Sequence, residues 1–101
     1  MVTITFFAVY PLKCEVNKMI EFKYDTQLLI EGEQLSEDAI FEYINTSFAG
    51  DCLLAVGDEN LIKIHFHTNE PWDLVKYCAS LGEIYDIVIE DMSRQERGLP
   101  G

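Results

Sequence analysis

Apolar and polar residues alternate with period two in several stretches of this chain, and elsewhere apolar residues recur at helical spacing. Period two marks a half-buried strand, and a period near 3.6 marks a helix with one buried face. Residues 20–31 read as a strand. Phe22, Tyr24, Thr26, Leu28 and Ile30 share one face, while Lys23, Asp25, Gln27, Leu29 and Glu31 share the other, and Gly32 breaks the run. Residues 36–49 read as a helix, with Ser36 as cap, Glu37 and Asp38 at the positive end of the dipole, and Ile40, Tyr43, Ile44 and Phe48 recurring at helical spacing. Gly50 is expected as the left-handed residue past its end. Residues 51–57 (DCLLAVG) form a short apolar strand, 57–60 a turn, and 61–68 an alternating strand, so these two strands are read as a hairpin. Residues 70–81 read as a second helix, with Pro71 in its first turn and Trp72, Leu74, Val75, Cys78, Ala79 and Leu81 on its buried side. Residues 83–91 (EIYDIVIED) are a last strand in which Tyr85, Ile87 and Ile89 alternate.

The order strand, helix, strand, strand, helix, strand predicts an α+β fold, a two-layer ferredoxin-like βαββαβ sandwich. Its four-stranded sheet is expected to be mainly antiparallel, with both helices on one face. The first and third strands are expected as central neighbours, and as parallel ones. Three segments follow from this. Residues 1–19 have no assigned structure, and 2–10 read either as an additional N-terminal strand or as a leader or linker. Residues 20–92 are the domain, and 93–101 are a flexible tail or linker stump.

Composition narrows the function. The chain has 101 residues, enough for one domain, and 49% of them are hydrophobic. With 7 Lys+Arg against 18 Asp+Glu, the formal net charge is −11. That argues against nucleic-acid backbones and anionic membranes as partners. No apolar run reaches the length of a spanning helix. Cys14, Cys52 and Cys78 are odd in number, widely spaced and without a C-x-x-C, so they are read as free thiols of a cytoplasmic protein.

The candidate chemistry lies in Lys63-Ile64-His65-Phe66-His67-Thr68-Asn69-Glu70-Pro71, which contains both histidines of the chain. Spaced two apart on a strand, they project from one face. On the expected topology Asp25 looks out of that same face from the neighbouring strand. Two imidazoles and a carboxylate suit Zn²⁺ with a fourth position left for water or another group. The plainer reading makes them cross-strand polar partners on an open sheet. There is no phosphate-binding glycine loop, no G-x-S-x-G and no Cys/His nucleophile pair.

Taken together, YDTQLLIEGE (24–33), GDCLLAVGDENLIKIHFHTNEP (50–71) and LGEIYDIVIEDMSRQ (81–95) resemble the middle domain of bacterial fatty-acid kinases. Those proteins join a dihydroxyacetone-kinase-like ATP-binding domain to a system with a DegV-type fatty-acid-binding protein. The K-[IV]-H-[FV]-H-T-N-x-P string carries most of the resemblance, here as Lys63, His65, His67, Thr68, Asn69 and Pro71. The resemblance implies a scaffold that dimerises the kinase and holds zinc through the two histidines and a cysteine of the first strand. His65 and His67 match; the cysteine position is occupied by Asp25.

Three functions follow as expectations. The first is a non-catalytic, zinc-binding accessory domain of a fatty-acid or dihydroxyacetone-type kinase, making interdomain or dimer contacts with the kinase domain and a DegV-type protein. The second is a metal-dependent hydrolase or phosphatase, with Glu31 or Glu70 as acid or base. The third is a metal-free ligand-sensing or dimerisation module. No catalytic residue is assigned, and the chain is not expected to be an enzyme on its own.

Overall fold

A computed structural model describes residues 20–101. The reading of residues 1–19, including an added strand, lies outside the described residues. The elements are β1 (Tyr24–Glu31), α1 (Glu37–Ser47), β2 (Gly50–Gly57), β3 (Leu61–Thr68), α2 (Pro71–Ala79), β4 (Glu83–Asp91) and a short α3 (Met92–Glu96). The strands form one sheet in the order β2-β3-β1-β4. This is the expected α+β sandwich, with one correction. β1 and β3 are central neighbours, but they run antiparallel, as do the other two pairs. The chain path requires it. α1 carries the chain back so that β2 runs in the direction of β1. The β2–β3 hairpin then reverses it, and β3 enters between them.

The core lies between the sheet and the two long helices. Leu28, Ile30, Ile62, Ile64 and Phe66 from the central strands meet Ile40 and Ile44 of α1 and Leu74 and Cys78 of α2, all buried. The period-two reading of β1 and β3 and the helical reading of Ile40 and Ile44 therefore hold. Burial pushes the Cys78 thiol up to about 12, so it acts as a small apolar filler. Cys52 is disulfide-bonded. The reading of free thiols thus holds for Cys78 and not for Cys52.

Element ends differ from the sequence reading for local reasons. β1 starts at Tyr24, because residues 20–23 are tied down by other means: the Lys23 amide donates to Asn69 Oδ1 at 2.9 Å. Ser36 does cap α1, accepting from the Ala39 amide at 3.2 Å. Gly50 is not a left-handed cap; it opens β2, and a Cβ there would run into the Phe66 ring and the His67 carbonyl. Trp72 is 60% exposed rather than buried, and packs edge-on against Tyr24 with ring centroids 6.3 Å apart. Tyr43 of α1 stacks on Tyr77 of α2 at 4.1 Å, joining the helices at their surface.

The last strand departs most from its expected pattern. The β1–β4 register slips between Gln27 and Leu29, where Asp86 takes a φ of 52°. The bulge changes the phase of the strand. Tyr85 pairs with Leu29 on the open face, and Ile89 pairs with Thr26 on the helix face. Tyr85, Ile87 and Ile89 thus do not share a face. As an edge strand, β4 leaves all three about 40% exposed, with relative exposures of 38%, 44% and 41%. Beyond it, Asp91 caps α3 by accepting from the Ser93 and Arg94 amides. The segment read as a tail from residue 93 includes most of this helix.

Candidate metal centre

Strand register brings the three expected residues together. Asp25 lies directly opposite His67 and Gln27 opposite His65, all on the face turned away from the helices. The side chains are only partly exposed: Asp25 20%, His65 15% and His67 14%. His65 Nε2 and His67 Nε2 stand 3.1 Å apart, and Asp25 Oδ1 is 3.6 Å from the first and 3.7 Å from the second. Asp25 Oδ1 is buried and accepts no hydrogen bond among the described residues. A buried carboxylate oxygen without a partner is costly unless something cationic completes it.

The triangle is close in size to a metal donor set such as that of zinc. Bonds of about 2.0–2.2 Å in a tetrahedron separate the donors by about 3.3–3.6 Å. A triangle with the observed sides has a circumradius of about 2.0 Å, so one point is within bonding distance of all three atoms. Donor chemistry agrees, since imidazole and carboxylate both bind zinc. Burial, the main effect, lowers the pKa of His65 from its ordinary 6.5; the charge of Asp25 opposes this, and His67 and Lys63 add to it. A neutral ring, with one nitrogen unprotonated, is the form that a metal needs.

The remaining residues of the motif hold the backbone around the triangle. Thr68 is buried; its Oγ1 donates to the Ala49 carbonyl at 2.9 Å and accepts from the Glu70 amide at 3.2 Å. Asn69 accepts from the Lys23 amide at 2.9 Å and donates to the Glu21 carbonyl at 3.2 Å. Pro71 is buried at the first position of α2. Lys63 is exposed on the open face, in register with Leu29 and Val56. Neither suggested acid or base is brought in: Glu31 lies at the opposite end of β1 from Asp25, and Glu70 is exposed at the start of α2.

One residue near the site was not foreseen. Asp51 pairs with His67 across β2–β3, and its Oδ1 is 3.6 Å from His67 Nδ1. It reaches this face through a register slip between Asp51 and Leu54, where Cys52 has a φ of 57°. Without the slip Asp51 would fall opposite Thr68, on the helix side. Asp51, Cys52 and His67 also have ligand atoms close enough to group around a metal. With Cys52 in a disulfide, that group has no thiolate to offer.

Residues 21–99 match the FakA-like middle-domain family, the middle domain of proteins like fatty acid kinase. The chain belongs to this family. Among relatives, it is 32% identical over 83 residues to Protein YloV of Bacillus subtilis (strain 168), a match covering 79% of this chain and 15% of that protein. It is 30% identical over 81 residues to the protein SSP1546 of Staphylococcus saprophyticus, covering 77% of this chain and 14% of that one. This FakA-like middle domain therefore spans only about 15% of the length of such relatives. None of its described helices is long and apolar enough to cross a membrane.

Proposed function

We propose that this chain is a non-catalytic accessory domain of a fatty-acid kinase system, built around a structural zinc held by Asp25, His65 and His67. The observation that carries the reading is the buried Asp25 Oδ1, without a hydrogen-bond partner among the described residues, set against two imidazole nitrogens at ligand spacing. Bound there, zinc would supply a cross-link between the two central strands. The chain's own residues do the rest. β1 and β3 present the donors from one rigid surface. The partial burial of the three side chains restricts water around them. Thr68, Asn69 and Pro71 fix the turn that carries His67 into α2. Family membership supports a place beside an ATP-binding kinase domain and a DegV-type fatty-acid-binding protein, with interdomain or dimer contacts as the domain's work.

The test is zinc stoichiometry and ATP turnover of the purified 101-residue chain, beside Asp25→Ala and His65→Ala. About one zinc per chain, lost in each variant, and no ATP hydrolysis are expected. A chain that binds no zinc removes the metal centre from the proposal. ATP turnover by the chain alone would overturn the accessory role.

A further inference from the structure

We propose that Asp51 is the positioning residue of this centre: its carboxylate holds the His67 ring with the proton on Nδ1, leaving the Nε2 lone pair turned toward Asp25 and His65. The functional meaning of this rests on the metal reading above; the tautomer itself does not. A neutral imidazole has one proton for two nitrogens, and the partner of one nitrogen decides the role of the other. On His67 the two sides are unlike. Nδ1 faces Asp51 Oδ1 at 3.6 Å, while Nε2 faces His65 Nε2 at 3.1 Å and Asp25 Oδ1 at 3.7 Å. Both nitrogens face a carboxylate, but only Nε2 also has a second ring nitrogen within hydrogen-bond distance. With the proton on Nδ1, Asp51 gains a donor and Nε2 accepts from His65, whereas with the proton on Nε2 the Nδ1 lone pair would face the Asp51 carboxylate. Asp51 therefore lies behind the ring, on the side away from the donor triangle, and supports the ligand rather than joining it.

The backbone is built to put Asp51 there. The slip in β2 at Cys52 turns Asp51 onto the face of His67, and Gly50 before it leaves the room that the Phe66 ring and the His67 carbonyl need. The separation of 3.6 Å is longer than a hydrogen bond between a neutral ring and a carboxylate. The Asp51 side chain is 54% exposed and can rotate through the remaining distance. With His67 protonated on Nδ1, the close contact between the rings has one possible donor. In the metal-free protein His65 carries its proton on Nε2 and donates it to His67 Nε2.

The experiment is nitrogen-15 NMR of the histidine rings in the metal-free 101-residue chain, with zinc affinity measured by competition against a chromophoric chelator. Wild type is compared with Asp51→Ala and Asp51→Asn. His67 is expected as the Nδ1–H tautomer in wild type and in Asp51→Asn, whose amide oxygen still accepts, and as a mixture in Asp51→Ala. Zinc binding should weaken roughly 10- to 100-fold in Asp51→Ala and stay within a few-fold of wild type in Asp51→Asn. A wild-type His67 that is not predominantly Nδ1–H overturns the proposal. So does equal weakening in both variants, which would show a charge acting at a distance. If wild type binds no zinc while the tautomer follows residue 51, the metal reading fails and the positioning role stands.

Discussion

Among single residues, burial separates side chains that look alike in the sequence. Phe66 is 1% exposed and Trp72 is 60% exposed, although both belong to apolar patterns. Phe66→Ala should cost about 3–5 kcal/mol, because it removes a ring from the middle of the core. Trp72→Ala should stay within about 1 kcal/mol, as for most surface changes. Paired denaturant unfolding curves check both, and a larger loss at Trp72 would mean that its edge-on contact with Tyr24 stabilises the fold. Gly50→Val is also a matter of one side chain. Its added carbons meet the Phe66 ring and the His67 carbonyl, so a loss of about 1–3 kcal/mol is expected by the same measurement.

For whole elements, the caps decide where helices begin. The Ser36 hydroxyl satisfies one free amide of α1, and Ser36→Ala should cost about 1 kcal/mol in the unfolding free energy. At α3 the capping group titrates. The hydrogen bond from the Ser93 hydroxyl, followed by the Arg94 amide, Lys23 and the Ser93 amide, holds the Asp91 carboxyl below its ordinary 3.8, against a smaller upward effect of burial. A carboxylate held low in the folded state stabilises it above the unfolded value. That contribution is lost as pH falls from 3.8 through the folded value. Protection of the amides of residues 92–96, taken relative to their intrinsic exchange rates at each pH, should therefore fall on acidification below about pH 4, and Asp91→Asn should remove that loss of protection.

Across the molecule as a whole, the proposed zinc couples to folding. A ligand that binds only the folded chain stabilises it by about 2.7 kcal/mol at one hundred times its Kd. For a domain of this size that corresponds to a rise in Tm on the order of 10 °C, reversed by a chelator. Calorimetry with and without zinc measures it. Asp25→Ala and His65→Ala should show no zinc-dependent rise.

Residue order alone was enough for the alternation that buries Leu28, Ile30, Ile62, Ile64 and Phe66, the helical stripe of Ile40 and Ile44, the Ser36 cap and the succession of elements. Each depends on neighbours a few residues apart, and local sterics and amphipathicity act over that range. It was also enough to put His65 and His67 on one strand face, since residues two apart on a strand must share a face. The antiparallel pairing of β1 and β3 was not legible in this way, because strand direction is a property of the whole chain path. Nor were the phase of β4 and the presence of Asp51 beside His67. Both arise from a single-residue slip at Asp86 or Cys52, and a slip of one residue moves a side chain to the opposite face of the sheet.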